Sequence, residues 1–456
     1  MNSSGTIPMA PGAVPLLGHA LPLFRDPIGF LTSLPTHGDL LRLRLGVIDA
    51  VAVCSPELTR QVLRDDRTFD KGGVIWDRAR ESAGDGVGTC PHRMHRRQRR
   101  LLQPTFHAAR LPGYAHAMTE QIDQVVASWQ DGEILDLRNA MSTITARSLL
   151  ATIVTDTLPL TVLDQAIADI TVILVGAFRR AFIPPALDCL PTPGNRRYRR
   201  ATARARHAMA LAIAERRASG RDNNDLLSAM LAAHDPAGYG SEQALSDTEI
   251  IDNLVSFLMA GVETTANTLA WALHLLTQYP DVEAGLHREV DTVLAGRAAT
   301  FEDLPTLPMT GRIVNETLRL RTPPWMFTRI TTDAIQLDRY TIPASMNVII
   351  SPLAIHNRPD LFPDPARFDP DRWLPERGDS ISRTAFLPFG AGARQCIGEQ
   401  FALIEAVLAL ATIAARWRFH PLPGERVRPS RSITLYPRGL RMRVAARSRH
   451  ALTTPT

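Results

Sequence analysis

The stretch Phe389-Gly390-Ala391-Gly392-Ala393-Arg394-Gln395-Cys396-Ile397-Gly398 stands just ahead of an apolar run, Phe401 to Ala414, of helical length. Gly390 and Gly392 make a tight loop that a flat group can approach closely. Cys396 falls just before the helix. There a thiol meets aligned backbone N–H groups and the positive end of the helix dipole, which favour its thiolate. Thiolates ligate soft and borderline metals. No second Cys or His lies at metal spacing from Cys396, so it cannot build a zinc site. A lone thiolate can instead serve as the axial ligand of a haem iron. Without the glycines and Arg394 in this order, the same residue would read as an inert buried thiol.

The rest of the chain is large enough to enclose such a group. It has 456 residues, 45% apolar and 21% charged, close to globular averages. A disordered tail, a fibre and a coiled-coil rod are thereby excluded. The length allows about three domains at about 150 residues each, but large single-core enzymes also reach it. Lys+Arg less Asp+Glu is 51 − 46 = +5. That balance is compatible with an acidic partner and too diffuse to imply nucleic acid. Four cysteines (Cys54, Cys90, Cys189, Cys396) make no disulfide framework and point to a reducing, cytoplasmic compartment. Residues 1–24 form a Pro-rich N-terminal segment (Pro8, Pro11, Pro15) whose first Arg comes after it, at Arg25, unlike a signal peptide. No apolar run reaches about 18 residues, so no membrane anchor is expected.

Leu41 to Leu45 alternates with period two, and Val51-Ala52-Val53 follows a turn, which reads as a β-hairpin. A second hairpin is expected at the end of the chain, Ile433 to Leu435 with Leu440 to Val444. Helical spacing dominates between them, near 94–103, 139–156, 162–180, 200–218 and 281–295. Strands at both ends with helices between argue for one mixed, mainly α unit. The clearest helix opens on the capping box Ser246-Asp247-Thr248-Glu249 and runs to Pro280. About 33 residues would span roughly 50 Å. Its centre, Ala260-Gly261-Val262-Glu263-Thr264-Thr265, sets poor helix formers and a charge in an apolar run. A Thr hydroxyl can bond the carbonyl one turn back and bend the helix. Taken alone, a packing glycine and a solvent-facing Glu explain this equally well.

Phe389 to Gly398 resembles the haem-binding signature of the cytochrome P450 family, and the pattern is highly specific. Three further stretches resemble that family's motifs in the same order: Ala260 to Thr265, Glu316-Thr317-Leu318-Arg319, and Phe368-Asp369-Pro370-Asp371-Arg372-Trp373. The resemblance covers essentially the whole chain. It implies a single P450 domain over residues 1–456, mainly α with a small β region, enclosing haem b beneath a long central helix. It implies Cys396 as iron ligand, with Phe389, Gly390, Gly392 and Gly261 close to the cofactor. His95, Arg99, Arg329 and Arg394 match positions that bind haem carboxylates. A buried Glu316–Arg319–Arg372 triad would fix the loop behind the haem. Thr264 and Glu263 would deliver protons to dioxygen, the co-substrate; many bacterial members carry Asp where Glu263 stands.

The basic run His92 to Arg100 is by default a solvated face. By resemblance one side of it faces the haem, while Arg93, Arg96 and Arg100 ring the proximal surface and attract an acidic electron donor. No dinucleotide fingerprint and no Cys cluster for an iron–sulfur centre is present. Electrons are therefore expected from NAD(P)H through a separate ferredoxin reductase and ferredoxin, with the chain a monomer. Candidate pocket residues by family position are Ile75, Trp76, Phe178, Phe257, Met326, Phe327 and Leu435. They are apolar, which suits a small hydrocarbon-like substrate. Pro11 to His19 and Pro323 to Arg329 also resemble actinobacterial sesquiterpene oxygenases. That implies stepwise oxidation of a methyl group on a pentalenene-like tricyclic sesquiterpene in antibiotic biosynthesis. The readings left open are a monooxygenase of a fatty acid or macrolide, and a non-enzymatic haem sensor. The pair Glu263-Thr264 argues against the sensor, which needs no proton delivery.

Overall fold

A helix of 30 residues, Asp247–Leu276, runs through the centre of the molecule. Its length is about 45 Å at 1.5 Å per residue. The computed structural model describes residues 6–155, 159–180, 188, 190–235, 243–378, 384–430 and 434–447. Ser246 caps the helix as expected: its side chain accepts the Glu249 N–H, and the Glu249 carboxylate accepts the Ser246 N–H at 2.9 Å. Helices Leu137–Ile153, Pro193–Ser219, Pro308–Leu320 and Glu399–Arg416 pack around it. Together they bury one large apolar core. The apolar faces of these helices explain why the central one is apolar nearly all round.

The expected helices are present with somewhat shifted bounds: His92–Leu102, Leu137–Ile153, Leu160–Arg180, Pro193–Ser219 and Pro280–Leu294. Pro193 stands at the first position of its helix. Thr192 caps it, and proline at the first helical position has no N–H to waste.

The first hairpin pairs Leu40–Leu45 with Ile48–Val53. It seeds a five-stranded sheet in which Asn347–Ile350 lies parallel to Ile48–Val53, followed by Phe327–Thr331 and Phe69–Asp70. Among the described residues the second expected hairpin does not form. Arg441–Ala446 pairs with Trp417–Pro421 and Ile134–Asp136 instead, and Pro437–Arg438 pairs with Arg428–Pro429. Leu435 belongs to no strand, and Ile433 lies outside the described residues. The run after the turn reads locally as the partner of the one before it, but it pairs with strands more distant in the chain.

Glu316 and Arg319 have no exposed surface. Arg319 donates from Nε and Nη2 to the Glu316 carboxylate at 2.9 and 2.8 Å. Its remaining donors reach the carbonyls of His356, Pro365 and Arg367 at 2.9, 2.9 and 3.1 Å. Arg372 adds a longer contact to Glu316 at 3.4 Å, and Trp373 Nε1 donates to it at 3.0 Å. His356 extends the network. Its Nδ1 faces the Arg319 carbonyl at 3.1 Å, and its Nε2 accepts the Leu387 N–H at 2.9 Å. The helix Pro308–Leu320 is thereby tied to residues 356–373 and to the segment leading into Phe389.

Arg319→Ala should leave Glu316 buried and uncompensated, which costs about 3–5 kcal/mol. Chemical denaturation should show that loss, and a variant of native stability would contradict it. His356 supplies a pH test. Burial and the nearby Arg319 lower its pKa from 6.5 to about 3, so it contributes stability above about pH 6.5 that is lost on acidification. Unfolding free energy should fall by about 1.4 kcal/mol per pH unit below pH 6.5 on account of this residue. His356→Gln should flatten that slope relative to the parent.

Candidate active site

The Cys396 loop is shaped by backbone bonds. The Cys396 N–H donates to the Phe389 carbonyl at 2.9 Å, and Gln395 N–H to Gly392 at 3.1 Å. Gly390 and Gly392 both sit at φ +70, a region that glycine enters at little cost. Their surroundings differ. A Cβ on Gly392 would lie 2.2 Å from the Leu63 carbonyl oxygen of the helix Pro56–Arg64. At Gly390 it would lie 3.9 Å from the Phe327 ring. Gly392 is thus required by its own neighbour in the protein, whereas Gly390 leaves a face open beside Phe327.

Cys396 stands three residues ahead of the helix Glu399–Arg416, with its side chain exposed. The expected preference for thiolate is not met by the protein alone. Although a face of the sulfur is open, the protein atoms packed around it desolvate the thiolate and raise the Cys396 pKa, outweighing the Gly398 N–H and the cations Arg99 and Lys71, which lower it.

The surrounding cations are in surplus. Arg394 is held by Asp66 and Asp70, each at 3.0 Å, and by the Cys90 carbonyl at 2.8 Å. Arg329 is buried and donates to the carbonyl of Thr328 at 2.8 Å. Burial and Arg394 push it down to about 10. Arg99 donates to the Gln395 carbonyl at 2.6 Å. His95 is buried on the same helix face, and burial with Arg394 lowers its pKa to about 3, so it is neutral. Lys71 was missed by sequence reasoning. It is the chain's single lysine among 51 basic residues, donates to the Gly88 carbonyl at 2.6 Å and lies 4.4 Å above the Trp76 ring. Burial, Arg329 and Arg394 push its amine well down. Lys71, Arg99, Arg329 and Arg394 against Asp66 and Asp70 leave an excess of two positive charges.

The central helix opens at the same residues that the sequence singled out. Residues 252–258 and 265–273 are all buried, whereas Ala260 is exposed and Gly261 and Thr264 are half-buried. The Thr264 hydroxyl donates to the Ala260 carbonyl at 2.7 Å. The helix nevertheless continues without a break in its α-helical pattern. Gly261 is explained by packing, since a Cβ there would lie 2.7 Å from Leu149 on the helix Leu137–Ile153. Glu263 is buried rather than solvent-facing. Its Oε1 pairs with Arg138 Nη2 at 3.1 Å, and the Arg138 guanidinium stacks on Tyr436 at 3.9 Å. Its Oε2 has no hydrogen-bond partner. Thr265, on another side of the helix, meets Glu405, whose complete burial raises its carboxyl pKa well above the usual range. Glu405 reads in sequence as one polar residue of an otherwise apolar helix, and no local signal marks it.

The pocket candidates divide. Trp76 Nε1 donates to the Thr328 carbonyl at 3.0 Å, next to Phe327, and Ile75 precedes it on the helix Val74–Ala83. Met326 and Leu435 share a cluster with Trp325. Phe257 lies in the main core, edge-on to Phe106 at 5.4 Å. The side chain of Phe178 lies outside the described residues. Of the basic-face candidates, Arg93 and Arg96 are exposed. Arg100 is paired with Asp235 at 2.7 Å and so offers no free charge. Two other arginines, Arg60 and Arg64, line an open groove of about 370 Å³ with Phe389, Gly392 and Glu399. Among the described residues no group of three His, Cys, Asp or Glu could hold a metal, and no helix is long and apolar enough to cross a membrane.

The cytochrome P450 family profile matches residues 8–441. A pentalenene oxygenase of Streptomyces avermitilis is 45% identical over 445 residues, covering 96% of this chain and 97% of its own length. A cyclooctat-9-en-7-ol 5-monooxygenase of Streptomyces melanosporofaciens is 45% identical and covers 91% of this chain and 90% of its own. A cyclooctatin synthase of the same organism is 44% identical, with 95% and 94% covered. The crystal structure of the cytochrome P450DA heme domain superposes with a TM-score of 0.87 at 27% identity, covering 97% of this chain and 98% of that one. By sequence match and by fold, the chain belongs to the cytochrome P450 family.

Proposed function

We propose that the chain is a haem-thiolate monooxygenase of terpene biosynthesis, a single P450 domain over residues 1–456 that oxidises a methyl group of an apolar sesquiterpene. The observation that carries the haem assignment is the exposed Cys396 thiol beside a surplus of two positive charges. Those charges match a flat group bearing an iron and two carboxylates. Cys396 would hold the iron. Arg329, Lys71, Arg394 and Arg99 would hold the carboxylates, with neutral His95 as a hydrogen-bonding neighbour. Gly390 would leave room for the ring edge beside Phe327.

Bound there, haem supplies activation of dioxygen and insertion of one oxygen atom into a C–H bond. The protein supplies protons and dryness. Thr264 offers its hydroxyl at the open part of the central helix, anchored on Ala260. Glu263 holds a carboxylate one residue away, and its pairing with the partly exposed Arg138 gives it a route to bulk solvent. The terpene assignment rests on the three terpene-pathway relatives and on the apolar character of Ile75, Trp76, Met326 and Phe327. An apolar pocket rejects an added hydroxyl only weakly, so an alcohol product would stay bound for a second oxidation to the aldehyde. Electrons would come from NAD(P)H through ferredoxin reductase and an acidic ferredoxin, docked where Arg60, Arg64, Arg93 and Arg96 present positive charge.

Cys396→Ala should abolish the thiolate-type absorption band of the reduced, carbon monoxide-bound protein; its persistence would refute the ligand assignment. Thr264→Ala should keep haem and substrate affinity while product formed per nicotinamide oxidised falls by about ten-fold or more. Unchanged coupling would remove Thr264 from proton delivery. Among terpenes, fatty acids and macrolides, pentalenene or a tricyclic relative should give the binding spectrum and an alcohol-then-aldehyde product series by mass spectrometry. A response to fatty acids or macrolides alone would overturn the terpene reading.

A further inference from the structure

The helices Val74–Ala83, Leu160–Arg180 and Pro193–Ser219 bury a polar cluster that the haem site does not use. Arg78 pairs with Glu81 at 2.5 Å and with Asp188 at 2.6 Å. Arg180 lies 3.0 Å from Glu81 and 3.7 Å from Asp188. Arg78, Arg180 and Asp188 are each more than nine-tenths buried. Two cations thus face two carboxylates, and the charge is balanced. Arg199, exposed at the rim, donates to the Asp188 carbonyl at 2.6 Å.

The hydrogen bonds are not balanced. Arg180 Nε and Nη1 are buried without a partner among the described residues, and so is the Tyr198 hydroxyl. Tyr198 is held firmly. The Arg180 guanidinium lies 4.7 Å from its ring centroid, and a Cβ on Gly176, one turn earlier on the same helix, would lie 2.3 Å from the ring. Ser82 stands close to the hydroxyl without reaching hydrogen-bond geometry. Burial raises the Tyr198 pKa, so the phenol keeps its proton and can donate it to a hydrogen bond. Buried donors left without an acceptor are unfavourable, and each calls for an occupant. The cluster adjoins the pocket candidates. Ile75, Arg78 and Ser82 share a face of the helix Val74–Ala83. Ser82 Oγ lies 3.9 Å from the sulfur of Met259, the residue before the exposed Ala260. A carboxylate here would add a third negative charge to two cations, at a cost that burial magnifies. A hydrocarbon offers no acceptor. A neutral hydroxyl or carbonyl oxygen accepts from these donors and leaves the charge unchanged.

We propose that Arg180 and Tyr198 bind a hydroxyl or carbonyl oxygen already present on the substrate, at a carbon other than the one oxidised, so that the enzyme acts on an oxygenated terpene. The proposal rests on the terpene reading and narrows it. The reaction that supplies the substrate must then leave an oxygen on the skeleton, by trapping a carbocation with water or by an earlier hydroxylation.

The test is a spectral titration of the haem-loaded protein with pentalenene, with tricyclic sesquiterpene alcohols and ketones that differ in where the oxygen sits, and with fatty acids and macrolides. At least one alcohol or ketone should bind roughly ten-fold more tightly than pentalenene, or better. Tyr198→Phe keeps the ring, and Arg180→Lys keeps the charge beside Glu81 and Asp188 while dropping Nε and Nη1. Each should cut that preference several-fold with a thermal midpoint near the parent's, and the double variant should remove it. Three results would each overturn the proposal. Equal affinity for pentalenene and all its oxygenated relatives would assign the donors to ordered water and leave the terpene reading standing. A preference that survives both substitutions would place the oxygen elsewhere. Binding of fatty acids or macrolides alone, with no terpene bound, would refute the terpene reading and this proposal with it.

Discussion

Arg319 has five N–H bonds and no exposed surface, so each hydrogen needs an acceptor inside the protein. Two go to Glu316, about one turn earlier on the same helix, and three go to backbone carbonyls at 356, 365 and 367. A guanidinium in this setting fixes the path of a loop more strictly than apolar packing could, because each carbonyl must stand at hydrogen-bond distance. His356 carries that constraint on to Leu387, two residues before Phe389. The segment leading to Cys396 is thus tied from behind to a buried ion pair.

In front of Cys396 the constraint is reversed. The protein leaves charge unbalanced there, and the imbalance is as much a part of the site as the sulfur. Burying cations without partners is unfavourable, and Lys71 and Arg329 show it in lowered proton affinity. A chain that answers every hydrogen of Arg319 but leaves these groups short is arranged for a ligand with negative charge. The helix end contributes less than expected: desolvation prevails over the dipole at Cys396.

The motif-bearing elements were legible in sequence because they carry local signals. The capping box at Ser246, the helical period and the glycines around Cys396 each express a rule that acts over a few residues. The family resemblance added the expectation that His95, Arg99, Arg329 and Arg394 face a cofactor, where spacing alone leaves them as surface charge. What sequence could not give was pairing at a distance. Arg441–Ala446 looked like the partner of the segment before it, yet it bonds to strands beginning at Trp417 and Ile134. Arg138 gives no hint that it meets Glu263, 125 positions away. Gly392 read as room for a flat group and Gly261 equally as a packing glycine; which neighbour a Cβ would meet, Leu63 or Leu149, could not be read from sequence. Lys71 was visible as the only lysine of the chain and could have been singled out on that ground.

The close approach of Gly392 to Leu63 has a further consequence, for the order in which the protein is made. The loop that bears the cysteine rests on a helix more than 300 positions earlier, and the hairpin strand Ile48–Val53 waits for Asn347–Ile350 to complete its sheet. Contacts at such separation close late and slow folding. On the ribosome the N-terminal strands emerge long before their partners exist, with the hairpin's edge unpaired and open to aggregation. Only when the last quarter of the chain is free can both be satisfied. The cysteine loop therefore settles on its helix only once residues near 390 have been made, and no fragment that ends before them can carry the site.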